Sequence, residues 1–184
     1  MQCQPVAGPD ALAARPSPYD STMPTVGEAQ AKLCYSRPYV KGRLVFGGLV
    51  PYDTLWRIGA NELTILHLSS AAEIAGIEVD AGDYSIYTVP SPDSWTVVVN
   101  ASTSQWGLTN DVLAEDGSVQ FANAYTDQVR SQEVGRAPIA TEAHDFTEQF
   151  AASFGTASGS EVDLYFDWAA TRITVPLRLS IDGS

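Results

Sequence analysis

From about residue 26 onward, apolar and polar side chains alternate with a period of two along most of the chain. Successive side chains of a strand face opposite ways, so this period predicts half-buried β-strands. The clearest run sets Val162, Leu164, Phe166 and Trp168 on one face and Glu161, Asp163, Tyr165 and Asp167 on the other. Thr171 to Ile181 continues it with Ile173, Val175, Leu177 and Leu179 in register. Pro176 sits inside that run, and a residue that cannot donate to a ladder predicts an edge or bulge there. Earlier, Ala31, Leu33 and Tyr35 alternate into a stop at Ser36-Arg37-Pro38. Glu62 to Leu68 places Leu63, Ile65 and His67 on one face, and Thr64, Leu66 and Leu68 on the other. Ile74 to Val79 reads as a short strand broken by Gly76, and Asp80 to Asp83 as a turn. Strands over Tyr84–Val89 and Trp95–Val99 flank a turn at Ser91-Pro92-Asp93.

The stretch from Asn100 to Pro138 is less regular, with one strand expected around Val119, Phe121 and Tyr125 after a turn at Glu115-Asp116-Gly117. Phe146, Phe150 and Phe154 are four apart, a helical spacing. Their neighbours Thr147, Ser153 and Thr156 are weak helix formers, and the next two segments are strands, so a strand is expected here too. Strand, turn and strand at this spacing predict an all-β domain: a single antiparallel β-sandwich, jelly-roll-like, of about nine or ten strands, over residues 25–184. Residues 1–24 hold Pro5, Pro9, Pro16, Pro18 and Pro24 and predict an irregular N-terminal arm.

The 184 residues suffice for one domain with a core, and an apolar share of 45% against 17% charged argues against disorder. The net charge of −12 excludes general nucleic-acid or anionic-membrane binding, both of which need a basic footprint. No apolar run approaches the ~20 residues of a transmembrane segment. The charge is unevenly distributed. Lys32, Arg37, Lys41, Arg43 and Arg57 share a 26-residue window with a single acid, Asp53. That window carries +4 and the remainder −16.

Two cysteines admit two expectations. A Cys3–Cys34 bridge would pin the arm to the domain. Alternatively, Cys34 is a small buried hydrophobe, and Cys3, followed by a Pro-rich tether and a β-domain, carries the lipid anchor of a bacterial lipoprotein. The leading residues have neither a basic n-region nor an apolar h-region.

Candidate chemistry concentrates between Tyr35 and Glu62, where cations, tyrosines, Trp56 and four glycines are interleaved. Arginine beside an aromatic ring offers bidentate and stacking contacts. YSRPYVKGR (Tyr35–Arg43), FGGLVPY (Phe46–Tyr52) and WRIGANE (Trp56–Glu62) lie here. With AGDYSIYTVP (Ala81–Pro90), the Trp95 strand, Gln105-Trp106-Gly107 and the closing strands at Val162–Leu177, they resemble a bacterial family known as domain of unknown function 2911. The resemblance runs from Thr25 to Leu179. It implies an exported β-rich domain, periplasmic, cell-surface or extracellular, and it implies no activity.

Other motifs carry less. Gly42 to Gly47 has the spacing of a phosphate loop but lacks the following Lys-Ser/Thr and a helix. His67 reads as a satisfied core histidine and His144 as a solvated residue of an acidic loop, and they offer no metal-ligand spacing. Asp80 with Asp83 is a turn before it is a calcium corner. Glu161, Asp163 and Asp167 form a solvated face, and Ser36 lacks a nucleophile elbow. No catalytic residue, metal or cofactor is assigned.

Two readings of the 35–62 cluster stand side by side. In one, Glu62 pairs with Arg57 or Arg37 as a structural staple. In the other, Arg37, Lys41, Arg43 and Arg57 receive a small anionic or sugar-like ligand beside Tyr35, Tyr52 and Trp56, with Asn61 and Glu62 closing the site. The leading expectation is therefore a non-enzymatic module that binds a ligand or protein partner at this segment. The rivals are a surface assembly protein that self-associates through its arm, and a hydrolase or isomerase centred on Glu62.

Overall fold

The computed structural model describes residues 1–5, 7–24, 26, 29–103, 112–113, 119–120 and 125–180. Its elements run α1 (Pro9–Ala13), β1 (Tyr19–Thr22), β2 (Ala31–Ser36), β3 (Ile65–Leu68), β4 (Ala72–Ile74), β5 (Ile77–Val79), β6 (Gly82–Val89) and β7 (Trp95–Asn100). β8 (Val112–Leu113), β9 (Val119–Gln120), α2 (Asp127–Arg130), β10 (Glu133–Phe154) and β11 (Glu161–Leu179) follow. Nine strands make one antiparallel sheet in the order β1-β2-β3-β6-β7-β10-β11-β4-β5, and β8 pairs with β9. The all-β antiparallel sandwich expected from the alternation is the observed fold.

The long strand β10 lets one sheet form two layers. Its first residues, Glu133 to Ile139, pair with β7, and the rest, Ala140 to Phe154, pair with β11. Register shifts between Ala143 and Thr147 and between Thr147 and Ala151 bend it on the way. The far edge then returns over the start of β10, where a Cβ on Gly135 would lie 3.1 Å from Ile77 Cγ2. The enclosed core takes the inward rows of both layers, including Leu33, Leu66, Ile86, Val97 and Val99 from one and Phe150, Leu164, Phe166 and Ile173 from the other. A second cluster of Leu63, Tyr87, Val98, Tyr125 and Val129 lies apart from it.

Several local expectations are refined. Phe146, Phe150 and Phe154 do lie in a strand, but the register shifts leave Phe146 64% exposed while Phe150 is fully buried. His144 belongs to the same strand rather than to a loop. Within β11 the inward row switches from even to odd numbers after Trp168, beside Ala169 at φ 52°. Pro176 lies beyond the last β10 partner, Thr174, so the missing donor costs no ladder bond to that strand. The strand expected from Glu62 begins only at Ile65. Ile74 to Val79 is a hairpin turning on Ala75 (φ 49°) and Gly76 (φ 85°), the pair of left-handed residues a two-residue turn requires.

The arm is irregular except for α1 and for β1, which pairs with β2. Cys3 is bonded to Cys34, closing a sequence separation of 31, so Cys34 is a buried half-cystine. Phe121, the turn at Glu115-Asp116-Gly117, Gln105-Trp106-Gly107 and Ile181 lie outside the described residues.

Candidate functional site

The segment between β2 and β3 carries the cationic cluster and is tied to both layers. Phe150 N donates to Pro38 O, and Val40 N to Glu148 O, each at 2.8 Å. Further on, Trp56 and Thr88 exchange backbone hydrogen bonds of 2.7 and 2.8 Å, which fasten the segment to β6. Between these anchors the chain turns tightly: Leu49 N donates to Leu44 O and Gly47 N to Val50 O, both at 2.9 Å. Gly47 has φ 81°, and a Cβ there would meet the Tyr52 ring at 2.6 Å, so both backbone and space call for glycine. Lys41, Asp53, Ile58 and Asn61 all have positive φ between 49° and 60°. For β-branched Ile58 this is a strained conformation, costing on the order of 1–3 kcal/mol. It is held by complete burial and by Thr64 Oγ1, which donates to Ile58 O at 2.8 Å.

These constraints shape a cavity of about 270 Å³. Trp56 and Trp168 stack at 5.7 Å between centroids and 18° between planes, and both line it. Behind them, Phe46 and Phe150 lock both rings edge-to-face, and Trp95 packs edge-to-face on Phe46 in turn. Leu49, Val50, Pro51 and Leu55 add apolar wall, and Pro16 and Ser17 of the arm complete it. Its ionisable edge is Lys41, Arg43 and Arg57. Tyr39 also lines it, and no Asp, Glu or His does.

Of the residues singled out by sequence, the cavity gathers Lys41, Arg43, Trp56 and Arg57. Tyr35 is a core residue: its hydroxyl accepts from Ala152 N at 3.0 Å and donates to Ala152 O at 3.3 Å, and burial pushes its pKa up. Arg37 ties the arm to β10, donating through Nε to Phe150 O and through a terminal nitrogen to Asp20 Oδ2, each at 3.1 Å. Tyr52 covers Gly47 and is partly exposed outside the lining. Asn61 and Glu62 also lie outside it. Buried Glu62 pairs through Oε2 with Arg15 of the arm and accepts from Ser36 Oγ at 3.5 Å. The staple therefore exists, but its cation is Arg15 rather than Arg37 or Arg57.

Arg15, Arg37, Arg136, Arg172 and Arg178 all form ion pairs with carboxylates. Among the described residues the three cavity cations form none. Arg43 is aimed by backbone carbonyls, its Nε donating to Val40 O at 2.9 Å. Arg57 Nε is buried without a hydrogen-bond partner, and burial pulls the guanidinium pKa down against the opposing influence of Tyr87 and Glu62. Trp168 Nε1 is likewise buried and unpartnered.

Elsewhere His67 Nδ1 lies 2.7 Å from Asp83 Oδ1, which commits Asp83 to the histidine, while His67 Nε2 is buried without a partner. Among the described residues no group of three or more His, Cys, Asp or Glu converges as a metal-binding set. Sequence reasoning missed Trp168, read only as a core position of its strand, and the arm residues Pro16 and Ser17, to which no local pattern points.

No curated protein and no solved structure matches the chain. One family profile does, over residues 17–177, so it takes in β1 as well as the sandwich. On that match the chain belongs to DUF2911, a family described as proteins of unknown function.

Proposed function

We propose that this protein is a non-enzymatic ligand-binding module of an exported protein, and that its site is the cavity under the 38–60 segment. One observation carries the reading. In a chain of 22 acids and 10 Lys and Arg, every Lys, Arg, Asp, Glu or His residue lining this cavity is a cation, and none of the three has a carboxylate partner among the described residues. An incoming anion supplies the missing partner. A preformed apolar wall, backed by the buried Trp56–Trp168 stack, supplies contact area without an ordering cost. Export is supported by the Cys3–Cys34 bond, since disulfides persist in oxidising compartments. A lipid thioether at Cys3 needs the same sulfur, so the reading keeps export and assigns the arm's anchoring to the bridge.

The rival readings gain less. β1 already pairs with β2 of its own chain, so donation of the arm to a neighbour would have to undo that ladder as well as the Arg15–Glu62 and Arg37–Asp20 pairs. Glu62, the centre of the enzymatic alternative, lies outside the cavity lining and is committed to Arg15. The test is a thermal-shift screen of organic acids, sugar acids and neutral sugars against wild type and a Lys41→Glu/Arg43→Glu variant. Stabilisation of wild type by an anion, absent in the variant, is expected. No response from either protein, or equal responses, overturns the reading.

A further inference from the structure

Resting on that binding reading, we propose that the cavity takes a small aromatic monocarboxylate, its ring against the apolar wall of Leu49, Pro51 and Leu55 and its carboxylate toward the exposed cations Lys41 and Arg43. The lining discriminates between the two ligand classes left open by the sequence. A sugar needs acceptors as well as donors for its ring hydroxyls. Asn, Asp, Gln and Glu, which supply carbonyl and carboxylate acceptors, are all absent from the side chains of the wall, while Lys and Arg only donate. Ser17, Thr54 and Tyr39 are its only hydroxyl side chains. A polyol buried there would leave hydroxyls unpaired, which costs free energy for each one. A bare inorganic anion has the opposite defect, because it leaves the partly exposed Leu49, Pro51 and Leu55 uncovered.

Size narrows the class further. An apolar cavity of ~150 Å³ takes benzene. The 270 Å³ here admits one ring with a short acidic arm and lies near the lower limit for small-molecule sites. Lys41 and Arg43 are exposed cations of a lining that is otherwise mostly apolar, so a ligand with charge at one end and a flat apolar body at the other matches both parts.

The experiment titrates the full chain with 3-phenylpropionate, 3-phenylpropan-1-ol, glucuronate and inorganic phosphate, read by intrinsic tryptophan fluorescence and calorimetry. The acid is expected to bind with Kd below about 1 mM and to shift the emission, and the alcohol to bind at least tenfold more weakly. Lys41→Glu/Arg43→Glu changes two exposed side chains and leaves the core alone. It is expected to lose at least tenfold in affinity for the acid with affinity for the alcohol unchanged. Equal affinity for acid and alcohol, or an acid whose binding the variant does not weaken, overturns the proposal. If glucuronate or phosphate binds and phenylpropionate does not, this inference falls while the binding-module reading stands. Silence from all four compounds, joined to a silent screen, removes both.

Discussion

The 38–60 segment and the outer face of β11 both set arginine among aromatic side chains, yet they use it in opposite ways. On β11, Arg172 grips Asp167 through two hydrogen bonds of 2.7 and 2.8 Å and lies over the Tyr165 ring at 4.6 Å. Arg178 sits between Glu161 and Glu73. Strand register explains this saturation, because neighbouring positions and a paired strand hold carboxylates at fixed offsets from each cation. The 38–60 segment touches β10 and β6 chiefly through backbone hydrogen bonds, and the one acid this brings near, Glu148, accepts from Lys41 N rather than pairing with a cationic side chain. Charge in the first region is spent within the fold. In the second it has no carboxylate partner among the described residues.

The contrast is broken most severely through the arm, whose Pro16 and Ser17 wall the cavity. Replacing Cys3 and Cys34 by Ser frees a loop of 31-residue separation. The chain-entropy argument puts the loss at about 3–4 kcal/mol, or roughly 10 °C in Tm. Calorimetry of the double variant checks this, and aryl-acid binding should weaken with it, since Pro16 and Ser17 are no longer held. A double variant as stable as wild type would show that the bridge does not hold the arm. Next comes Glu62→Gln, which leaves the mostly buried Arg15 side chain beside a neutral amide. A loss of about 2–3 kcal/mol is expected from denaturant midpoints. An undiminished midpoint would remove the staple from the argument.

How much of this was legible beforehand depended on whether a pattern was local. The β11 row was readable because alternation needs only neighbours, and even its change of parity shows in the run from Trp168 to Ile173. The Phe146–Phe154 spacing was ambiguous because a period of four suits a strand as well as a helix, and the register shifts that separate Phe146 from Phe150 leave no local signature. The cationic window pointed to the segment that walls the cavity and to four of its lining residues. It misassigned Tyr35 and Arg37, which the chain had committed to β10, and it gave Glu62 the wrong partner. Arg15 lies 47 residues away in an arm whose prolines suggested no fixed contacts. Long-range pairing of this kind is set by topology, which composition does not encode.

A double-mutant cycle sharpens the comparison at smaller scale. Arg172→Ala and Asp167→Ala should show a coupling of about 0.5–1 kcal/mol that shrinks in high salt, as expected for a partly exposed bidentate pair. The parallel cycle of Arg43→Ala with Glu148→Ala should show no coupling, because Glu148 accepts from the Lys41 backbone and forms no pair with Arg43. Coupling of similar size in both cycles would erase the distinction between spent and available charge.

The last effect shows no pH dependence near neutrality and concerns Tyr19, on the arm strand β1. Burial, reinforced by the negative charge of Glu62, pushes its pKa up to about 12 from an ordinary 10. The folded state therefore holds the phenolic proton more tightly than the unfolded chain does. Its contribution to stability is complete below pH 10 and is lost as pH rises through about 12. Tyr125 shares that window, raised to about 12 chiefly by burial near α2, so wild-type alkaline unfolding alone assigns nothing. The difference between wild type and Tyr19→Phe does assign it. Denaturant midpoints of the two should differ by a constant amount up to about pH 10, after which the variant should lose stability less steeply. Parallel curves from pH 7 to 12 would mean that Tyr19 ionises freely in the folded protein, and that the arm packs against Glu62 less closely than its ion pair with Arg15 requires.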